Sequence, residues 1–130
     1  MTEMDTRLVE EAKKVREFAH SPYSKIKIGA AVLAQSGEIY RGCNIENTVY
    51  SLTNCAERTA IFNALAAGED QLTTLAIVSD TARPIPPCGA CRQVMAEFHI
   101  QRVIMANLAG DMKEMELPDR LPYSFAAQDL

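Results

Sequence analysis

The sequence contains no run of apolar residues approaching the roughly 20 that a membrane-spanning helix requires. Its first residues, MTEMDTRLVEEAKK, are too acidic and polar for a signal peptide, so we expect a cytoplasmic protein that does not interact with membranes. An excess of basic residues is also absent, because 13 lysines and arginines are outnumbered by 17 aspartates and glutamates and the net charge is −4. This balance argues against a nucleic-acid partner, since such proteins concentrate positive charge.

Low-complexity tracts, internal repeats and linker-like runs of serine, glycine and proline are absent as well. A chain of 130 residues is long enough to bury a hydrophobic core, and its apolar share of 48% is ordinary for a globular protein. We therefore expect a single domain that covers residues 1–130.

Four cysteines are present, and a reducing compartment favours metal ligation or burial of thiols over disulfide formation. Cys55 is followed two residues later by a carboxylate, Glu57, and the segment PPCGACRQV places Cys88 and Cys91 three positions apart. A catalytic zinc has three protein ligands and an open fourth position, whereas a structural zinc has four protein ligands. The pattern predicts one Zn²⁺ on these three cysteines and leaves Glu57 free to transfer protons.

Two alternative interpretations of these residues stay open at the level of sequence. Cys43 could supply a fourth thiolate and complete a structural zinc site, although strand alternation points it away from Asn44 and Glu46 and favours a buried thiol. Glu57 could instead cap a helix, because Asn54 three residues earlier completes a capping-box pattern. The companion cysteines favour proton transfer, a role worth roughly 10²- to 10⁴-fold in rate.

The spacing of apolar residues predicts alternating helices and strands. The predicted helices span residues 5–20, 55–67 and 88–98, and the predicted strands span 27–34, 38–45, 72–78, 103–107 and 112–115. This order indicates an α/β protein, a three-layer α/β/α sandwich in which helices cover both faces of a mixed five-stranded sheet. His20 and His99 fall at or just after predicted helix ends, and we expect structural roles for both.

Asn44 and Glu46 lie two positions apart in the second predicted strand, within the segment GCNIEN. Strand alternation places both side chains on the same face of the sheet. A carboxylate accepts hydrogen bonds and an amide can donate or accept them, so the pair could hold a sugar hydroxyl. Taken in isolation, the two residues are equally compatible with a solvated strand end.

Five segments resemble the small zinc-dependent cytidine deaminases, in the order and spacing of that family. They are SPYSK at 21–25, GAA at 29–31, GCNIEN at 42–47, NCAERTA at 54–60 and PCGACRQV at 87–94. The resemblance extends to the closing LPYSFAAQDL at 121–130 and implies a cytidine deaminase-like fold with one Zn²⁺ per chain. The implied activity is hydrolytic deamination of cytidine and deoxycytidine to uridine and deoxyuridine in pyrimidine salvage.

The resemblance also implies roles for individual residues. Glu57 would carry protons to and from the substrate, and the backbone at Ala56 would bind O2 of the base. Asn44 and Glu46 would hold the ribose. Arg58 would donate hydrogen bonds to ligand sulfurs, a contact of the kind that tunes a metal site.

The C-terminal tail carries a further implication of the resemblance. In the tetrameric members of the family a phenylalanine of the tail, matched here by Phe125, enters a neighbouring subunit's site and stacks on its base. We therefore expect a homotetramer with shared sites and a small-molecule pyrimidine nucleoside as the ligand.

Two positions depart from the family pattern. Ile26 stands where the family usually has a phenylalanine that stacks on the pyrimidine, so an aromatic contribution of about 0.5–1.5 kcal/mol is lost. Pro86 replaces the usual serine before PCGAC and changes the stiffness of that loop. Both departures keep a modified cytosine nucleoside, as in the blasticidin-S deaminases, as an alternative substrate.

Overall fold

A computed structural model describes residues 1–130 as one mixed sheet flanked by helices. The strands are β1 (Ile28–Ala34), β2 (Ile39–Cys43), β3 (Leu72–Ser79), β4 (Arg102–Asn107) and β5 (Met112–Glu116). The helices are α1 (Glu3–Arg16), α2 (Ala56–Ala66), α3 (Gly89–Glu97) and α4 (Leu117–Arg120), with 3₁₀ turns at Tyr50–Leu52 and Ala127–Asp129. None of these helices combines the length and the apolar character that crossing a bilayer requires.

The strand order in the sheet is β2-β1-β3-β4-β5. β3 and β4 are parallel, and α3 lies in the crossover connection that a parallel pair requires. Every other neighbouring pair is antiparallel. The mixed five-stranded sheet expected from the sequence is therefore confirmed.

Each face of the sheet has its own hydrophobic core, and successive residues of β3 contribute alternately to one core and to the other. Leu75 and Ile77 pack in the cluster that contains residues of α2 and α3, whereas Ala76 and Val78 pack with residues of α1. All four side chains are essentially inaccessible to solvent. Helices thus cover both faces, and the three-layer arrangement expected from the sequence is confirmed.

Two glycines allow helices to lie directly on the sheet. Gly29 of β1 faces α1, where an added Cβ would overlap the carbonyl oxygen of Ala12. Gly42 of β2 faces α2, where an added Cβ would overlap the backbone nitrogen of Ala60. Both helix–sheet contacts therefore require a residue without a side chain.

The first helix ends earlier than the apolar spacing predicts. A helix over residues 5–20 is expected, but α1 spans Glu3–Arg16. The backbone N–H of His20 donates to the carbonyl oxygen of Asn44 at 3.0 Å, and its own carbonyl oxygen accepts from the N–H of Glu46 at 2.8 Å. These bonds to the chain after β2 replace those of another helical turn, so His20 serves the backbone structure.

We expect Gly29→Ala and Gly42→Ala each to lower the free energy of unfolding by about 3 kcal/mol or more, because overpacking against backbone atoms cannot be relieved by rotating a side chain. Gly89→Ala is the matched control, since an added Cβ there meets no atom within 4 Å. Urea unfolding of the three variants measures the difference. Equal stabilities would contradict the close helix–sheet contacts.

Candidate metal centre and active site

Three thiols meet where two helices begin. Cys55 is the N-cap residue of α2, Cys88 is the N-cap residue of α3, and Cys91 lies in the first turn of α3. Their three Sγ atoms all lie within 4.8 Å of one another. No side chain caps either helix, so the free N–H groups and positive dipole ends favour negative charge on these sulfurs.

The thiols of Cys55 and Cys91 share their protons unevenly. The hydrogen bond with Cys91, assisted by Arg58 and opposed by burial, lowers the pKa of Cys55 to about 5. The same hydrogen bond, together with burial, raises the pKa of Cys91. One thiolate is thus formed readily, and a metal that binds all three sulfurs must displace the remaining protons.

Arg58 is the cation that accompanies this cluster. Its Nη2 donates to Cys55 Sγ at 3.3 Å, and this bond raises the pKa of the guanidinium. Its Nε is buried without a hydrogen-bond partner, which is costly for a donor. Three thiolates on Zn²⁺ carry a net charge of −1, so a guanidinium with a donor to spare fits beside them.

The donor set fits zinc, which prefers thiolate ligands and binds three of them in catalytic sites of this kind. Cys43 does not belong to the cluster. It pairs across the sheet with Gly29, the residue that faces α1, so its side chain lies on the opposite face of the sheet from α2. Burial raises the pKa of this thiol. A structural zinc site with four cysteines therefore lacks its fourth ligand.

Glu57 lies in the first turn of α2, two residues after Cys55, and is only 6% exposed. Burial raises its pKa to about 7, a value at which a carboxyl group can both accept and release protons near neutral pH. The capping-box alternative is wrong, because Cys55 rather than Asn54 is the N-cap residue and no side chain caps the helix.

A cavity of about 310 Å³ opens above these groups. Three sets of residues line it: a floor, a first wall from the segments around β1 and β2, and a second wall from the loop after β3. The floor includes Cys55, Glu57 and Cys88, the first wall Ser24, Ile26, Ile28, Asn44 and Glu46, and the second wall Thr81, Ile85 and Pro86. Six of the site residues predicted from the sequence, together with Pro86, thus line one cavity.

Asn44 and Glu46 hold the backbone of the first wall. Asn44 Oδ1 accepts from the N–H of Ile28 and its Nδ2 donates to the carbonyl oxygen of Ile26, both at 2.8 Å. Glu46 Oε1 accepts from the N–H groups of residues 23 and 24 at 3.0 and 3.2 Å. The second amide hydrogen of Asn44 and the Oε2 atom of Glu46 have no protein partner, so they are available to a ligand.

The strand that carries these two residues is shorter than expected. β2 ends at Cys43 rather than at residue 45, yet Asn44 and Glu46 still reach the same cavity. The backbone of Ile45 between them pairs with Asn54 on one side and with His20 on the other. These bridges continue the extended alternation beyond the strand.

The side chains of two expected substrate-binding residues, Ala56 and Phe125, do not line the cavity. Ala56 is fully buried as the first residue of α2, so only its backbone can address a ligand. Phe125 lies outside the cavity of its own chain and is 61% exposed, with its carbonyl oxygen bound by Gln93 Nε2 at 2.8 Å. The structure of one chain therefore does not bring Phe125 to the metal site.

Sequence reasoning missed the residues of the second wall other than Pro86. Thr81 and Ile85 carry no motif, and only the position of their loop, between a buried strand and the Cys88 helix, indicates that they approach the site. That loop connects two elements of the parallel part of the sheet, where ligand sites usually lie at the strand ends.

An α/β/α fold in which three thiols at two helix N-termini could hold a metal ion beside a buried carboxyl group is typical of metal-dependent hydrolytic enzymes. Residues 2–107 match the family model described as the cytidine and deoxycytidylate deaminase zinc-binding region. The chain therefore belongs to the cytidine and deoxycytidylate deaminase family.

Individual relatives agree with this assignment over nearly the whole chain. The cytidine deaminase of Sporosarcina psychrophila is 52% identical over 126 residues, which cover 95% of this chain and 93% of that protein. The cytidine deaminase of Halalkalibacterium halodurans is 50% identical over 125 residues, which cover 95% of each. The crystal structure of cytidine deaminase from Burkholderia pseudomallei superposes with a TM-score of 0.89 at 46% identity and covers 96% of this chain and all of that chain.

We expect Cys43→Ser to retain one zinc per chain and Cys88→Ser to lose zinc, because only Cys88 belongs to the three-thiol cluster. Elemental analysis of dialysed protein gives the stoichiometry, and the unsubstituted chain sets the reference value. Loss of zinc from Cys43→Ser, with the fold retained by circular dichroism, would restore the structural-site interpretation.

Proposed function

We propose that this protein is a zinc-dependent cytidine deaminase that converts cytidine and deoxycytidine to uridine and deoxyuridine with release of ammonia, in the cytoplasm and in pyrimidine salvage. The observation that carries the proposal is the buried carboxyl group of Glu57 beside the three-thiol cluster at the floor of a nucleoside-sized cavity. Relatives named cytidine deaminase, up to 52% identical, support this substrate.

The reaction needs one group that moves protons between water and the pyrimidine. Cys55, Cys88 and Cys91 would hold a zinc ion, which would supply Lewis-acid chemistry that lowers the pKa of water toward 7. Glu57 accepts a proton from the attacking water and delivers it to N3 as the oxygen adds to C4. The same carboxyl group then takes the proton of the added hydroxyl and passes it to the 4-amino group, which leaves as ammonia.

The nucleoside is oriented by groups that have spare hydrogen-bonding capacity. The backbone N–H of Ala56, in a helix turn that no side chain caps, binds O2 of the base. Asn44 and Glu46 hold the ribose hydroxyls through the second amide hydrogen and through Oε2. Hydrogen bonds from Ser24 hold the pKa of Glu46 below its usual range, so this carboxylate stays ionised and accepts hydrogen bonds.

Ile26 covers one face of the base. Its side chain is 46% exposed at the cavity, and its backbone carbonyl is held by Asn44. An aliphatic side chain excludes water from the ring but lacks the aromatic contribution of about 0.5–1.5 kcal/mol. The substitution therefore weakens base binding without removing the wall, and unmodified cytidine remains the substrate.

We expect Glu57→Gln to keep the fold and one zinc per chain but to lower kcat by at least about 10³-fold, because the amide cannot carry protons between water and the base. Glu10→Gln, an isosteric change on the exposed side of α1, is the control. The loss of ultraviolet absorbance of cytidine gives the rates. An active Glu57→Gln variant with normal zinc would overturn the proton-carrier assignment.

We also propose a homotetramer in which Phe125 of one chain closes the cavity of a neighbour. Phe125 is largely exposed outside the cavity of its own chain, which supports a role in another chain. The 3₁₀ turn near the cavity mouth adds further exposed apolar side chains, since Val49 is 56%, Tyr50 74% and Leu52 65% exposed. A cluster of this kind marks a surface that associates with another protein.

Mixed tetramers separate a role for Phe125 in its own chain from a role in a neighbouring chain. We expect Phe125→Ala to raise KM for cytidine, and coexpression with inactive Glu57→Gln chains to restore a fraction of low-KM sites. Those sites combine an intact Glu57 with a neighbour's Phe125. A monomer by light scattering, or a mixture with only the raised KM, would contradict the shared site.

A further inference from the structure

The loop of residues 80–86, here called the roof loop, connects β3 to Pro87 ahead of α3. Thr81, Ile85 and Pro86 of this loop form the second wall of the cavity. None of the loop's backbone N–H or C=O groups takes part in a backbone–backbone hydrogen bond. The position of the wall therefore depends on bonds that side chains make to the loop.

Asn107 provides the bonds that tie the roof loop to the sheet. It is the last residue of β4, is only 5% exposed, and lies beside Ser79 in the parallel register. Its Nδ2 donates to the carbonyl oxygen of Thr81 at 3.0 Å and approaches that of Ala82 at 3.4 Å. The buried amide of Asn107 thus binds the start of a loop that makes no backbone–backbone hydrogen bonds.

Asp111, in the turn after β4, fixes the orientation of this amide. Asn107 Oδ1 accepts from the backbone N–H of Asp111 at 2.9 Å, and Nδ2 also donates to Asp111 Oδ2 at 3.0 Å. Because Oδ1 faces an N–H donor, the Nδ2 group must face the carbonyl oxygens of the roof loop. The turn between β4 and β5 therefore aims the amide.

Hydroxyl groups complete the hold on the roof loop. The fully buried Ser79 lies with its Oγ 2.7 Å from Thr81 Oγ1, and Thr81 Oγ1 donates to the carbonyl oxygen of Arg83 at 2.6 Å. Since the Thr81 hydroxyl has a single hydrogen, Ser79 is the donor of the pair. Ser79 and Asn107 therefore act on the same residue of the wall.

The end of the roof loop next to the metal ligand is held separately. Pro87 is fully buried, and its carbonyl oxygen accepts from Arg92 Nε at 2.9 Å. Arg92 also donates from Nη1 to the carbonyl oxygen of Arg120 at 3.2 Å. The residue before Cys88 is therefore held by bonds that do not involve Asn107.

We propose that Asn107 is a positioning residue that holds the roof loop as a preformed wall of the cavity and thereby sets affinity for the nucleoside rather than the rate of the chemical step. The inference rests on the proposed function only for the identity of the ligand. Glu57 and Cys91 lie in α2 and α3, and Cys55 and Cys88 are the N-cap residues of these helices. We therefore expect the proton carrier and the metal ligands to stay in place when the roof loop is loosened.

The position of the wall is tested without any turnover. Labelled isoleucine δ1-methyl groups report on both walls, because Ile85 belongs to the roof loop and Ile26 and Ile28 belong to the opposite wall. We expect Asn107→Asp, which replaces the Nδ2 donor by an acceptor, to shift and broaden the Ile85 signal while the other two signals stay unchanged. An unchanged Ile85 signal would overturn the proposal.

Kinetics distinguish positioning from general stability. We expect Asn107→Asp to raise KM for cytidine about tenfold through lost preorganisation, with kcat within about twofold and zinc at one per chain. Ser79→Ala, which loosens the same loop without introducing charge, gives the same pattern if Asn107→Asp folds poorly. Asp111→Ala, which keeps the backbone N–H bound by Asn107 Oδ1, leaves KM within about twofold.

A fall in kcat with unchanged KM, or a rise in KM for Asp111→Ala equal to that for Asn107→Asp, would overturn the role assigned to the roof loop. A failure of the proposed function has a different signature. In that case the unsubstituted, zinc-loaded chain does not turn over cytidine at all, and the Ile85 signal alone decides whether Asn107 holds the wall.

Discussion

The backbone of β2 at Gly42 lies directly against α2, and no side chain can be placed between them. α2 begins at the cavity with Cys55 and Glu57, while Gly42 is only two residues from Asn44. One backbone contact therefore fixes Glu57, the proposed proton carrier, relative to Asn44, which is proposed to hold the ribose. A reaction that must align a water, a base and a carboxyl group gains from this kind of fixed separation, because little reorganisation remains at the moment of transfer.

The N-terminal end of α2 lacks interactions that usually stabilise a helix. Its N-cap position is occupied by Cys55 without a side-chain cap, and the carboxyl group of Glu57 is buried where its charged form is disfavoured. α3 begins in the same way at Cys88. Unused N–H groups suit a metal site and a buried carboxyl group suits a proton carrier, so the stability lost here is consistent with the proposed roles.

The sequence was most informative where the relevant signal is local. The Cys88 and Cys91 spacing and the apolar run after Cys55 predict thiols at helix starts, and short apolar runs predict the five strands. The end of α1 could not be predicted in this way, because His20 is held by backbone bonds to residues more than 20 positions away. The second wall was missed for the same reason, since the amide that holds Thr81 comes from the end of another strand.

The position of each wall of the cavity is fixed by side-chain hydrogen bonds to its backbone. Asn44 binds both the carbonyl of Ile26 and the N–H of Ile28, and Asn107 binds the carbonyl of Thr81. A change in the side chain of Ile26, which makes none of these bonds, therefore alters the lining of the cavity without moving the wall. This is consistent with the proposal that Ile26 covers the base where the family resemblance implies an aromatic residue, because the three-thiol cluster and Glu57 lie at the starts of separate helices.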